Sequence, residues 1–191
     1  MKKIGILGGT FNPIHIGHLA MAEVARDRCG LDRVVFVPCF QPPHKRITRL
    51  TKPADRFQMV KLAVQGHPSF DVSDAEIKRR GKSYSIDTVR HFRRVLPKSA
   101  RLFYIIGADN FQYLDSWKDI EAILEQVTFL VINRPGMKAR GPKIKHLRVR
   151  MPGLDISGSY LRRCLQSGHS VRYLVPEKVR QFIIRKKLYK K

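Results

Sequence analysis

Short apolar runs alternate with segments of helical spacing along this chain, and that alternation limits the folds open to it. The runs predicted as strands are residues 3–7, 33–37, 70–77, 101–106, 127–132 and 147–149. The segments predicted as helices are residues 16–29, 54–64, 85–95, 117–125, 157–166 and 176–187. Strands separated by helices form βαβ units around a parallel sheet. We therefore predict an α/β fold: a single doubly wound, mainly parallel sheet with helices on both faces.

The composition favours one folded domain that binds polyanions. The chain has 191 residues, 43% of them hydrophobic, which is enough for a substantial core. No long linker divides it, so we predict one domain over residues 1–191, with a late serine-rich motif and closing helices at about 155–191. The net charge of +23 favours nucleotides, nucleic acid or an anionic membrane surface as partners.

The first residues and the cysteines predict a cytoplasmic protein. The chain enters its first strand at Lys3 without the longer apolar stretch of a signal peptide. Its apolar runs are too short to cross a bilayer, so no membrane span is expected. Cys29, Cys39 and Cys164 are widely spaced and odd in number. We expect reduced thiols there rather than disulfides or zinc ligands.

The segment after the first strand is the first candidate site, because ligands of doubly wound sheets lie beyond the carboxyl ends of strands. Residues 8–18 read Gly-Gly-Thr-Phe-Asn-Pro-Ile-His-Ile-Gly-His. Gly8 and Gly9 allow close approach of the backbone to a ligand, and the helix that follows points N–H groups at the same place. His15 and His18 share one face of its first turn, where imidazoles could donate to phosphate oxygens. The pattern predicts a phosphate site.

Other interpretations of this segment stay open on the residues alone. One histidine could be a helix cap and the other a partly buried surface residue. The pair could also ligate zinc, although no third ligand is evident nearby. The sequence contains neither the P-loop pattern nor a GxGxxG pattern after this strand.

Two segments at opposite ends of the chain resemble the signatures of the HxGH-type nucleotidyltransferase superfamily. Residues 9–18 closely resemble (T/S)-F-x-P-x-H-x-G-H, and residues 156–162 resemble a serine-rich stretch that opens a late helix. The whole chain is similar to bacterial nicotinate-mononucleotide adenylyltransferases, with matching motifs at 42–45, 83–88, 106–109, 116–117 and 133–136. The resemblance implies a Rossmann-like nucleotidyltransferase fold.

The sequence departs from the family pattern at four positions. Asn12 stands where many relatives carry aspartate, and Ser159 and Leu161 replace threonine and isoleucine. Gly158 replaces the second serine of the late signature. One possible hydroxyl contact with phosphate is therefore missing, although the N–H of Gly158 remains. We expect activity to survive this change.

The resemblance implies adenylyl transfer, a step of NAD biosynthesis. The 5′-phosphate of nicotinate mononucleotide would attack the α-phosphorus of ATP, giving deamido-NAD and pyrophosphate. The nucleophile is already an anion, so the reaction needs phosphate-binding donors and cations rather than a general base. Mg²⁺ would be bound mainly through the ATP phosphates, and no protein metal site is expected.

The resemblance also implies roles for individual residues. The predicted catalytic residues, which would bind the reacting phosphates and the leaving pyrophosphate, are His15, His18, Lys45 and Arg162. The predicted ATP-binding residues are Gly8, Gly9, Thr10, Phe11, Gly107, Asp109, Ser157 and Ser159. Ser157 and Asp109 could instead be ordinary helix caps.

The predicted substrate-binding residues are His44, Tyr84, Ser85, Trp117 and Arg134. N–H groups where a helix opens near Ser85 could receive the nicotinate carboxylate, and the indole of Trp117 could stack on the pyridine ring. A plain helix start and a core tryptophan are the alternatives. Nicotinamide mononucleotide or phosphopantetheine are alternative acceptors.

A basic nucleic-acid-binding protein is the alternative from a different functional class. The charge exceeds what a nucleotide enzyme needs, and much of it lies in residues 138–150 and 185–191. The sequence has no zinc-finger, RRM or KH signature, and its aromatic residues do not interleave with the basic runs. Nucleic acid is therefore expected to be at most a secondary partner. The sequence does not specify an oligomeric state.

Overall fold

A parallel sheet of six strands organises the computed structural model, which describes residues 1–43, 50–133 and 141–190. The strands are β1 (Lys3–Gly9), β2 (Arg33–Pro38), β3 (Phe70–Val72), β4 (Arg101–Gly107), β5 (Thr128–Asn133) and β6 (His146–Arg150). Their order is β3-β2-β1-β4-β5-β6, and every neighbouring pair is parallel. This is the order of a doubly wound sheet, so the predicted fold class is confirmed.

Helices connect the strands. They are α1 (Ile16–Cys29), α2 (Pro53–Val64), α3 (Ala75–Arg79), α4 (Ser85–Val95), α5 (Ala108–Phe111), α6 (Ile120–Leu124), α7 (Gly158–Gln166) and α8 (Glu177–Arg185), with a 3-10 turn at Leu114–Ser116. Within the described ranges, no helix is long and apolar enough to cross a membrane.

The strands send alternate side chains into two hydrophobic cores, one on each face of the sheet. On β4, Phe103 and Ile105 enter the first core, while Leu102, Tyr104 and Ile106 enter the second. Helices α1, α2, α7 and α8 cover the first core, and α4, α5 and α6 cover the second. Because both faces are covered, the central strands are apolar throughout. Helices α7 and α8 share the core of α1 and α2. The single domain over 1–191 remains a prediction.

Two predicted elements are partly wrong. The predicted strand over 70–77 stops at Val72, because the hydroxyl of Ser73 accepts the N–H of Ala75 at 3.3 Å and turns the chain into α3. The predicted helix over 117–125 begins only at Ile120. Trp117 instead follows the 3-10 turn, so it lies in the connection rather than on a helix.

The topology places the site. Strands β2 and β3 lie on one side of β1, whereas β4 to β6 lie on the other. The loops that leave the carboxyl ends of β1 and β4 therefore diverge and open a crevice, the place where doubly wound sheets bind ligands. The segments after Gly9 and Gly107 both reach this crevice.

Candidate active site

The two histidines of the first motif lie together where α1 begins. His15 is the N-cap residue and is only 2% exposed, while His18 is half-buried. Their rings stack with centroids 3.7 Å apart, and the backbone N–H of His15 donates to Nδ1 of His18 at 3.3 Å. Phe11 meets the His18 ring edge-on at 5.0 Å. The structure thus brings both predicted imidazoles to one end of α1, beside the carboxyl end of β1.

Gly17 makes room for His15. A β-carbon at position 17 would lie 3.1 Å from Nδ1 and 3.2 Å from Cε1 of His15, closer than a packed side chain normally allows. The His15 ring therefore lies between the backbone of Gly17 and the ring of His18, which fixes its position.

Gly17→Ala is expected to lower turnover at least about tenfold without lowering stability, since alanine is the better helix former but displaces the His15 ring. Steady-state kinetics and thermal unfolding measure the two effects separately. Ala20→Gly, in the same helix, is the matched control, and it should cost stability but not turnover. Normal turnover in Gly17→Ala would show that the position of His15 does not matter.

The late serine-rich motif packs directly against the first motif. Arg162, on α7, donates from Nη1 to the carbonyl of Asn12 at 2.7 Å and from Nη2 to the hydroxyl of Ser159 at 3.1 Å. The Arg162–Asn12 bond joins residues 150 positions apart. Ser157 caps α7 by accepting the N–H of Tyr160 at 3.2 Å. Capping is therefore one role of Ser157, and it leaves the hydroxyls of this turn at the solvent-exposed edge of the site.

The glycine that breaks the family pattern lies in this contact. A β-carbon at position 158 would lie 3.2 Å from the Asn12 carbonyl oxygen and 3.3 Å from Nη1 of Arg162. The side chain of a serine at this position would crowd the hydrogen bond between Arg162 and the carbonyl of Asn12. The missing side chain of Gly158 thus allows α7 to lie close to the first motif.

The side chain of Asn12 also accepts hydrogen bonds from two segments that are distant in sequence. Its Oδ1 accepts the hydroxyl of Tyr189 at 2.9 Å and the N–H of Thr51 at 3.4 Å. Burial raises the pKa of Tyr189 to about 12, so the phenol keeps its proton at neutral pH and acts as the donor. The first motif is therefore held by contacts from α7, from the segment before α2 and from the chain after α8.

Two of the predicted substrate residues, Ser85 and Trp117, contact Tyr104 of β4. The hydroxyls of Ser85 and Tyr104 are 3.1 Å apart, and Trp117 meets the Tyr104 ring edge-on at 5.5 Å. Tyr84 and Trp117 are both half-buried against the second core. The ammonium of Lys118 lies 5.0 Å from the centroid of the Tyr84 ring. Burial raises the pKa of Tyr104, which keeps its hydroxyl neutral.

The start of α4 is held by buried polar contacts. Glu76, 4% exposed, accepts the hydroxyl of Thr88 at 2.5 Å. Burial raises the pKa of Glu76, while hydrogen bonds from Thr88 and Ser83 oppose that shift. Ser83 donates its own N–H to the carbonyl of Gln41 at 2.9 Å. The candidates for binding a carboxylate at this end are the N–H groups of the helix start around Tyr84 and Ser85.

The other predicted ATP-binding residues lie at the carboxyl edge of the sheet. Gly8 and Gly9 are the last residues of β1, and Gly107 is the last of β4. Thr10 and Phe11 follow β1, with the Phe11 ring buried in the first core. Asp109 is exposed in the first turn of α5. The predicted residues His44, Lys45 and Arg134 lie outside the described residues.

Sequence reasoning missed Arg56, Tyr104, Glu76 and Tyr189. Arg56 had a signal, because it occupies the buried stripe of α2 with Met59, Val60 and Val64. A charged residue in such a stripe has to find polar partners inside the protein. Tyr189 had no such signal, because its partner Asn12 lies 177 positions away in the sequence.

The site contains donors and cations rather than a cluster of metal ligands. In the parts of the chain that the structure describes, no group of three or more His, Cys, Asp or Glu side chains could hold a metal ion. The zinc alternative for His15 and His18 thus gains no further ligand among these residues.

Comparisons with known proteins identify the family. Residues 6–164 match the family model described as cytidylyltransferase-like. A protein of Geobacillus thermodenitrificans named "Probable nicotinate-nucleotide adenylyltransferase" is 43% identical over 189 residues, which cover 99% of this chain and 87% of the relative. A protein of the same name from Pelobacter propionicus is 40% identical over 213 residues and covers 98% of each chain.

Solved structures agree on the fold. Plasmodium falciparum nicotinic acid mononucleotide adenylyltransferase, complexed with NaAD, superposes with a TM-score of 0.82 at 20% identity, covering 99% of this chain and 98% of that one. The same enzyme complexed with APC gives a TM-score of 0.80. At this identity the likeness shows the fold, whereas the full-length relatives show the closer kinship. The chain belongs to the cytidylyltransferase-like family and, within it, to the nicotinate-nucleotide adenylyltransferases.

Proposed function

We propose that this protein transfers the adenylyl group of ATP to nicotinate mononucleotide, with release of pyrophosphate and formation of deamido-NAD, a step of NAD biosynthesis. The observation that carries the proposal is the direct contact between the two signature segments, through Arg162 and Asn12. It is supported by the names of full-length relatives. The cytoplasmic location predicted from the sequence remains a prediction.

The proposed mechanism is positioning and charge stabilisation. The mononucleotide phosphate attacks the α-phosphorus in line as pyrophosphate leaves, so negative charge develops on oxygens that must be held by donors. The N–H of His15 donates to Nδ1 of His18, which places the proton of the neutral His18 imidazole on Nε2. The Nε2–H of His18 would donate to an ATP phosphate, while the ring of His15 stacks on the His18 ring.

The late helix would receive the leaving group. Ser157 and Ser159 lie at the amino end of α7, where N–H groups and the helix dipole favour phosphate. Arg162 adds a positive charge one turn further on, and Lys45 would bridge the two substrates. Gly8, Gly9, Thr10, Phe11, Gly107 and Asp109 would hold the rest of ATP.

Mg²⁺ would be bound mainly by the ATP phosphates, where it would neutralise charge on the transferred and leaving groups. Arg162 and the N–H groups at the amino end of α7 suit the phosphate oxygens of such a complex. The protein's own residues would then bind the oxygens that the ion leaves uncovered.

The nicotinate group would lie beside Trp117. The N–H groups of Tyr84 and Ser85 would receive its carboxylate, and His44 and Arg134 would contribute further contacts. A neutral amide would gain less from those donors, so the acid is the expected substrate.

Trp117→Ala is expected to raise the KM for nicotinate mononucleotide about tenfold with a smaller change in turnover, because a stacking surface is lost. Steady-state kinetics with each substrate varied in turn tests this, and Trp117→Phe, which keeps an aromatic ring, should stay closer to the wild type. Unfolding of Trp117→Ala would instead identify the residue as core, in line with its edge-on contacts to Tyr104 and Phe129.

The function itself is tested by pyrophosphate release from ATP and Mg²⁺ with nicotinate mononucleotide, nicotinamide mononucleotide and phosphopantetheine in parallel. Preference for the first, with a dinucleotide product seen by mass spectrometry, is the expected result. Preference for another acceptor would keep the phosphate chemistry and reject the proposed substrate site. Absence of release with all three would reject the proposal.

A further inference from the structure

We infer that Arg56 of α2 is a positioning residue that holds the phosphate-binding loop, residues 10–13, in the conformation that receives ATP. This inference rests on the proposed function and adds to it a residue that has no place in either signature motif.

Arg56 is fully buried, with 0% of its surface exposed. Its Nε donates to the carbonyl of Thr51 at 2.9 Å. Its Nη1 donates to the carbonyl of Thr10 at 2.8 Å, and its Nη2 to the carbonyl of Phe40 at 2.9 Å. Three nitrogens of one planar group thus bind three segments at the carboxyl edge of the sheet: the loop after β1, the loop after β2 and the chain before α2.

The partners of Arg56 are unusual for a buried cation. They are backbone carbonyls, with Sγ of Cys39 a further 3.8 Å contact from Nη1. None of the ion pairs found among the described residues includes Arg56. The carboxylate of the buried Glu76 attracts Arg56 through charge, but the hydrogen bonds of Arg56 go to the three carbonyls and to Sγ of Cys39. Burying an arginine is costly, and a full set of acceptors offsets that cost. The role of Arg56 is therefore to fix the relative positions of these acceptors, rather than to make a single charge contact.

The contact with Thr10 sets the direction of the phosphate-binding loop. The Thr10–Phe11 peptide is planar and trans, so a carbonyl that points at Arg56 forces the N–H of Phe11 to point away from it. Phe11 has a φ of 47°, an uncommon left-handed conformation for a bulky residue. Such conformations persist only where surrounding contacts hold them. Tight turns that contain them are one way in which proteins present successive backbone N–H groups to an anion.

The same contact also supports His18. The Phe11 ring is 2% exposed and meets the His18 ring edge-on at 5.0 Å. A shift of the Thr10–Phe11 peptide would move this ring and the imidazole that rests on it. Arg56 reaches the reacting phosphates only through these residues, which makes it a positioning residue and not a catalytic one.

Arg56→Lys tests geometry against charge, because lysine keeps the charge but cannot bind three carbonyls from one planar fork. Arg56→Met removes both the positive charge and the hydrogen bonds to the three carbonyls. Arg93 on α4 is the matched control: it donates to the carbonyls of Ala100 and Gln126, at the amino ends of β4 and β5, on the opposite edge of the sheet. Arg93→Lys and Arg93→Met therefore disturb carbonyl contacts of the same kind away from the site.

Each protein is compared with the wild type by thermal unfolding, by calorimetric titration with Mg²⁺–ATP and by steady-state kinetics. Arg56→Lys is expected to stay folded, bind ATP at least about tenfold more weakly and lose about thirtyfold or more in kcat/KM for ATP. The KM for nicotinate mononucleotide should change by less than about threefold. The Arg93 variants should lose stability while their ATP affinity stays that of the wild type.

Wild-type ATP affinity in folded Arg56→Lys would overturn the inference, whatever happens in Arg56→Met, because charge alone would then suffice. Equal kinetic losses in the Arg93 variants would also overturn it, since they would reflect general destabilisation. Failure of both Arg56 variants to fold, with Arg93→Lys folded, would assign Arg56 to folding alone. A wild type that binds ATP but transfers to no acceptor would reject the proposed function, while the titration would still test Arg56.

Discussion

Replacing His18 with alanine is expected to lower turnover by about a hundredfold to a thousandfold while the protein stays folded. His18 is half-buried at the first turn of α1, and its contacts include the rings of His15 and Phe11 and a bond from a backbone N–H. Truncation removes no large part of the core. What it does remove is the donor that we place on the reacting phosphates, whose charge grows in the transition state.

The measurement is kcat for nicotinate mononucleotide together with the melting temperature. His67 offers a matched control, because its ring stacks on Phe70 with centroids 3.7 Å apart, beside β3 and away from the first motif. His67→Ala should leave kcat unchanged. Near wild-type turnover in folded His18→Ala would remove His18 from the catalytic residues.

Arg162→Met is the second change expected to have a large effect, with a loss of at least about a hundredfold in kcat. The substitution removes the positive charge proposed to bind the leaving pyrophosphate. It also removes the hydrogen bonds from Arg162 to Asn12 and Ser159. Arg162→Lys keeps the charge but cannot reach both acceptors in one plane, so it should recover only part of the activity.

The neighbouring Arg163 is the control for Arg162. It is exposed on the same helix, so Arg163→Met changes the net charge equally without touching the first motif. Its kcat should match that of the wild type. If the Arg163 and Arg162 variants lose activity equally, the general positive charge of the protein, rather than the contact with Asn12, accounts for the effect.

The order of strands and helices could be predicted from the sequence because it depends on local patterns. The predicted helices at 16–29 and 85–95 begin and end where the structure has them. The segment 70–77 could not be predicted as well. The predicted strand extends to Ile77, but the turn at Ser73 and the burial of Glu76 against Thr88 end it at Val72. The contact of Glu76 with Thr88 depends on the packing of α4, which begins after this segment in the chain.

The sequence by itself determined the doubly wound sheet and the two signature motifs, since periodicity, glycines and helix starts act over a few residues. Only the tertiary structure decided which side chains hold those motifs in place. Arg56 binds Thr10 from 46 positions away, and Tyr189 binds Asn12 from 177 positions away. A hydrogen bond needs its donor and acceptor to meet within about 3 Å, and over such separations only the folded sheet brings the partners that close.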